Sequence, residues 1–185
     1  MMIVTRNGLF DYTPDSLFSA VSQPERFKLL LAGKQIRLLF QNPVTGNYWV
    51  AGIRPADNIG EGYIFDLGQG RISRPLLPDS LLGIGVRTRQ FVQCPEGIWL
   101  VANKGLFLLD ASTETLVKHY SREDGLPFDD LYCLYREASG IFWLGSNGGG
   151  LIRWDRKNGH FRQFATEHGL SNSHLYAVIE DDYGA

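Results

Sequence analysis

The sequence predicts an all-β chain, part of a β-propeller built from four-stranded antiparallel blades. Three observations predict it. Trp49, Trp99 and Trp143 each follow a turn glycine closely, in Gly46-Asn47-Tyr48-Trp49, Gly97-Ile98-Trp99 and Gly140-Ile141-Phe142-Trp143. A glycine followed by apolar residues recurs a few positions before an aspartate, in Gly62–Asp66, Gly105–Asp110 and Gly150–Asp155, with Gly8–Asp11 as a shortened early copy. A third marker, Asp124-Gly125-Leu126-Pro127, is echoed by His168-Gly169-Leu170-Ser171. Leu131-Tyr132 maps on Leu175-Tyr176 at the same offset, and Gly140 on Gly184. The common period is about 44 residues, the length of a four-stranded blade.

Blade three shows why each unit reads as strands. Its expected strands are Leu131–Arg136, Ile141–Gly145, Gly150–Asp155 and His160–Phe164. Leu131, Leu134, Trp143, Leu151, Trp154, Phe161 and Phe164 supply alternating or continuous apolar positions. Asp155, Lys157, Asn158 and Gly159 supply the turn before the last strand. No segment holds a helical period over three turns, and glycine is abundant, at 21 residues. A four-stranded blade cannot bury both faces alone, so the recurring Trp residues are expected in the core between blades rather than as a sugar-stacking platform. Trp154, at the end of its strand beside Arg153, is ambiguous.

The resulting division is residues 1–34 as the C-terminal half of a blade plus connector, 35–84 as blade one with a loop insertion, 85–127 as blade two, 128–171 as blade three, and 172–185 as the first strand of a truncated blade. The chain is expected to begin and end in mid-blade, as a fragment of a longer propeller, with a small closed ring as the alternative. A fragment would leave sheet faces open, with aromatic residues turned to water.

Composition narrows the class. The 185 residues, 44% hydrophobic and 21% charged, are those of a globular domain. A net charge of −2 gives no reason to expect contact with nucleic acid or an anionic membrane. No apolar run approaches the length of a membrane span, and the N-terminus lacks the pattern of a signal peptide. Cys94 and Cys133 occupy non-equivalent repeat positions and read as two unpaired thiols.

Signals for catalysis are weak. His119, His160, His168 and His174 show no metal-ligand spacing. Glu180, Asp181 and Asp182 read as the turn after a first strand rather than an acid–base pair. Gly83-Ile84-Gly85 and Gly148-Gly149-Gly150 lack the context of nucleotide-binding loops, and the second reads as a tight hairpin. No cofactor and no metal are expected.

Candidate ligand contacts follow from topology. Loops between the second and third strands, and segments entering the first strand, share one face of a propeller, where ligands commonly meet polar groups. These are Asn103 and Lys104, Asp129 and Asp130, Asn147, and Asn172 with His174. Their amides and carboxylates suit sugar hydroxyls, though the same residue types also serve turn geometry. The insertion Arg54–Glu61 lengthens the same kind of loop in blade one, making Arg54 and Asp57 further candidates.

Two stretches carry a family resemblance. Gly169-Leu170-Ser171-Asn172 with Leu175–Gly184, and Gly140–Ser146 with Gly149-Gly150-Leu151 and Asp155, resemble the two-component regulator propeller repeat. The likeness is close over residues 97–185 and looser over 1–96. It implies the periplasmic or extracytoplasmic sensor region of a bacterial hybrid histidine kinase, where such repeats precede an immunoglobulin-like domain, a membrane helix and the kinase. None of those downstream parts is in this chain. Many such receptors are similar to sensors of oligosaccharides. The expected function is therefore a non-catalytic, ligand-sensing propeller segment. Its expected partners are the remaining blades of the same propeller, an oligosaccharide or other small ligand, and a homodimer mate through the parent receptor. A structural or protein-interaction propeller is the alternative, and a propeller lyase a third.

Overall fold

The structure is a computed structural model. It describes residues 2–5, 8–12, 27–29, 35–54, 56–66, 68–82 and 85–181. Most of 13–34, together with Pro55, Gly83-Ile84 and 182–185, lies outside the described residues, and so do the expected half-blade connector and the Gly184 echo.

Strands dominate. A three-stranded sheet holds β1 (Met2–Thr5), β2 (Gly8–Tyr12) and β3 (Phe27–Leu29). Blade one holds β4 (Gln35–Gln41), β5 (Tyr48–Ile53), β6 (Gly60–Asp66) and β7 (Arg71–Pro75). Blade two holds β8 (Thr88–Cys94), β9 (Gly97–Ala102), β10 (Gly105–Leu109) and β11 (Leu116–Tyr120). Blade three holds β12 (Leu131–Arg136), β13 (Phe142–Ser146), β14 (Leu151–Asp155) and β15 (His160–Phe164). The three four-stranded sheets run in chain order, each strand antiparallel to the next. A single helical turn, α1 (Asp79–Leu82), follows β7. This is the all-β, blade-type architecture expected. The chain divides into two compact units, Met1–Arg87 and Thr88–Ala185, so blades two and three share the second.

The recurring residues each have a physical reason. The aspartate of the second marker caps the hairpin between third and fourth strands. Asp66 Oδ1 accepts from Gln69 N at 2.9 Å, Asp110 Oδ1 from Ser112 N and Thr113 N at 2.8 Å, and Asp155 Oδ1 from Asn158 N at 3.3 Å. The glycine of that marker is a close approach. Gly105 and Gly150 have φ of 98° and 76°, and a Cβ on either would lie 2.1 Å from the carbonyl oxygen of Tyr120 or Phe164, the last residue of the neighbouring fourth strand. In blade one the register differs. Trp49 pairs with Ile64 as Trp99 pairs with Leu108, which puts Glu61, not Gly62, at the position of Gly105. The third marker closes a 3-10 turn. Gly125 and Gly169 adopt φ of 89° and 98° after the turns Arg122–Asp124 and Thr166–His168, and Leu126 then drops into the core.

The core of the second unit is the layer between blades two and three. Trp99, Val101, Leu106 and Leu108 on one sheet pack with Phe142, Leu144, Ile152 and Trp154 on the other. Trp99 meets Phe142 and Trp154 edge-on at centroid distances of 5.3 and 5.9 Å, and Trp154 stacks on Phe161 at 5.0 Å. Arg156 covers this layer, its guanidinium 4.8 Å from the Trp99 ring and 4.9 Å from Phe142. Glu96 holds both, accepting from Trp99 Nε1 at 2.9 Å and pairing with Arg156.

The expectation for the tryptophans is corrected at one position. Trp49 and Trp99 are wholly buried and Trp154 is 5% exposed, but Trp143 is only partly buried. Trp143 pairs with Arg153 in the register of Trp99, so it points away from the layer that Phe142 enters. Residues 172–185 are expected as the first strand of a truncated blade, and 172–181 of them are described. No strand forms there among the described residues, only a bridge between Asn147 and His174. An innermost strand pairs with the second strand of its own blade, and no such strand is described beyond it. Cys94 and Cys133 are free and buried, and burial pushes the Cys94 thiol up to about 11.

Two outcomes follow. Trp99→Ala removes the centre of the inter-sheet layer and is expected to cost roughly 3–5 kcal/mol in urea unfolding, against less than about 0.5 kcal/mol for Val117→Ala on the exposed face of β11. Asp110 is held down at about 2 by the Ser112 hydroxyl and the backbone N–H groups of Thr113 and Ser112. Its folded value lies below its unfolded one, so its stabilisation is present above the ordinary carboxylate range and is lost as pH falls toward about 2. The stability gap between the wild type and Asp110→Ala is expected to narrow over that window, as read by thermal melts.

Candidate functional site

In the second unit the expected loops converge on one edge. Gly105 N donates to Asp129 O at 2.8 Å, which lays the segment entering β12 beside the turn that carries Asn103 and Lys104. Asn147 N donates to Asp130 O at 2.8 Å, and Asn147 Nδ2 to Asp130 Oδ2 at 2.7 Å. The pattern repeats one blade on. Gly150 N donates to Ser173 O at 2.8 Å and Leu175 N to Ser146 O at 2.9 Å. Asn172 Oδ1 accepts from His174 N and meets His174 Nδ1, both at 2.9 Å. Asp129, Asp130, Asn147, Asn172 and His174 thus lie along one continuous edge, with Asn103 and Lys104 at its start.

These residues differ in how much of their polar capacity is used. Asp130 has one partner on each oxygen, because Arg89 Nη2 donates to Oδ1 at 3.1 Å while Asn147 takes Oδ2. It ties β8 of blade two to the β13–β14 turn of blade three. Lys104 offers its backbone oxygen to His119 Nε2 at 2.6 Å, and the residue is exposed. Asp129 Oδ1 and Arg89 Nε are buried with no hydrogen-bond partner. The tie could not be foreseen from sequence, because Arg89 and Asp130 are 41 residues apart and belong to different repeats.

Arg54 and Asp57 sit in the first unit and close their own loop. Arg54 pairs with Asp57 at 2.6 Å, and Arg54 N and Ile59 O join the ends at 2.8 Å. The neighbouring guanidinium holds the Asp57 carboxyl below its usual range. Part of the insertion is strand rather than loop, since Gly60 and Glu61 extend the β5–β6 ladder opposite Ile53 and Gly52.

Sequence reasoning missed a cleft on the far face of blade three. About 470 Å³ in volume, it is lined by Tyr135, Glu137, Trp143, Leu151, Val178 and Ile179. Glu137 accepts from the Ser139 hydroxyl at 2.7 Å and from Trp143 Nε1, which lowers its carboxyl below the usual range. Tyr135 donates to Glu180, and that bond raises its phenol. Among the described residues no group of three or more His, Cys, Asp or Glu side chains is placed to hold a metal ion. No helix among them is long and apolar enough to cross a membrane.

No protein-family model matches the sequence, and no curated protein matches it. Solved structures do. The extracellular domain assigned to the hybrid two-component system BT3049 of B. thetaiotaomicron superposes with a TM-score of 0.72 at 15% identity, over 99% of this chain and 23% of that one. The extracellular domain of BT4673 from the same organism gives 0.68 and 0.69 in two structures at 12% identity, over 99% of this chain and 26% of that one. One of these describes BT4673 as a hybrid two-component system and the other as a one-component system. The chain spans about a quarter of the length of these neighbours. At such identities the likeness is one of fold: blades of a partial propeller, in proteins of the class that the repeat resemblance names.

Removing the tie between blades tests the edge. Asp130→Ala leaves Arg89 and Asn147 without their acceptor and is expected to lower stability by about 1–3 kcal/mol in urea unfolding. An Arg89/Asp130 double-mutant cycle is expected to return a favourable coupling, and a zero coupling would remove the tie from the account.

Proposed function

We propose that this chain is a non-catalytic, ligand-sensing segment of an extracytoplasmic receptor in two-component signalling, and that its ligand is an oligosaccharide. The observation that carries the reading is the polar edge of the second unit. There the entering segments and the turns between second and third strands of consecutive blades bring Asp129, Asp130, Asn147, Asn172 and His174 together. Amides, carboxylates and an imidazole at one edge match the paired donors and acceptors of sugar hydroxyls. The fold of the neighbours supports the setting, since those structures are extracellular domains of signalling proteins.

The catalytic alternative has little to work with. Among the described residues, no histidine makes the nucleophile–base contact that hydrolysis or elimination needs. A protein-interaction role draws support from one feature, the cleft beside Trp143, whose walls include Val178 and Ile179. Kinase activity, which the resemblance attaches to the parent receptor, is assigned to no residue here.

Thermal-shift screening of the full chain against oligosaccharides tests the proposal. The expected result is a raised melting temperature with at least one glycan, saturable and repeated in calorimetry. Failure across a broad glycan set, with tight binding to another protein, would favour the interaction reading.

A further inference from the structure

The first strand of every four-stranded sheet carries one extra residue at the same register. Ile36 and Leu38 pair with the adjacent residues Gly52 and Ala51, Thr88 and Gln90 with Ala102 and Val101, and Leu131 and Cys133 with Ser146 and Gly145. The residue skipped in each case is the unpaired residue of a bulge. Those residues are Arg37, Arg89 and Tyr132. Bulges of this kind re-aim one side chain while the ladder continues on both sides.

In the second unit the re-aimed side chains form a column. The Arg89 guanidinium carbon lies 4.2 Å from the Tyr132 ring centroid. Tyr132 in turn lies 4.6 Å from Tyr176, with the rings tilted by 44°. Tyr176 is the residue one period after Tyr132, and it ends the column 68% exposed. Two residues before each ring stand Asp130 and His174, and Asn147 contacts both, through its amide to Asp130 and through its bridge to His174. Polar groups therefore border the aromatic platform.

Charge decides what the platform suits. The one cation in the column, Arg89, is paired with Asp130 at 3.1 Å. The column therefore ends in the exposed Tyr176 ring, with no net charge stacked behind it. A pyranose offers the complement, an apolar C–H face to lay on a ring and a rim of hydroxyls for neighbouring amide and imidazole groups. The geometry points to the Arg89–Tyr132–Tyr176 column as a stacking site for a neutral oligosaccharide, with Asn147 and His174 at its rim. This inference rests on the glycan reading above and adds the site and the charge class of the ligand.

Isothermal titration of the full chain tests it, with neutral xylo-, cello-, manno- and arabino-oligosaccharides and with oligogalacturonate as the anionic comparison. The expected result is binding of a neutral glycan that Tyr176→Ala weakens by about five- to tenfold, the size of one lost ring contact. Tyr176→Phe, which keeps the ring, is expected to retain most of the affinity, and both variants to melt with the wild type. Three results overturn the inference. A neutral glycan bound equally well by Tyr176→Ala places the ligand elsewhere and leaves the sensing proposal standing. Oligogalacturonate preferred over every neutral glycan refutes the charge argument alone. No binding of any glycan by the wild type removes both this inference and the oligosaccharide reading.

Discussion

The second unit depends on the contact between the facing sheets of blades two and three. A four-stranded antiparallel sheet has two faces, and each needs cover if its apolar residues are to leave water. Trp99 provides that cover from one side, and Phe142 and Trp154 from the other, meeting edge-to-face as aromatic rings prefer. The Trp99 N–H, which would be costly to bury unpaired, is satisfied by Glu96. Glu96 also pairs with Arg156, whose guanidinium spans the rings of both sheets. A polar clamp thus sits at the rim of an apolar layer, and it fixes how the two sheets lie against each other.

That packing places the polar edge. Pairing of Leu131 with Ser146 lays the turn after β13 beside the segment that enters β12, and the contact between the sheets lets Asp130 close the gap to β8. Gln90 Oε1 adds a further link by accepting from Leu134 N at 2.8 Å. The candidate site is therefore built on strand ends that two sheets hold in place, which suits recognition better than a free loop would. The Arg54–Asp57 loop of the first unit differs, because its ion pair closes one loop rather than joining two sheets.

Much of the fold is legible in the sequence because each marker answers a local demand. Asp66, Asp110 and Asp155 cap hairpins, and Gly105 and Gly150 leave room for a neighbouring carbonyl. Such demands recur with every blade, so they print a period. Trp143 misleads because its burial depends on what covers the far face of its sheet, and residue identity does not report that. The bulges at Arg89 and Tyr132 are hidden for a related reason: a bulge is a property of two paired strands, not of one. The Leu131-Tyr132 and Leu175-Tyr176 echo is visible as a repeat, but the stacking of those tyrosines becomes visible only in three dimensions.

The central claim is that blades two and three form one cooperative unit through the Trp99–Phe142–Trp154 layer. Amide hydrogen exchange on Phe142→Ala tests it most directly. The account requires exchange in β9 and β10 to quicken by the same factor as in β13 and β14, because the sheets open together. Quickened exchange confined to β13 and β14, with β9 still protected as in the wild type, would contradict it.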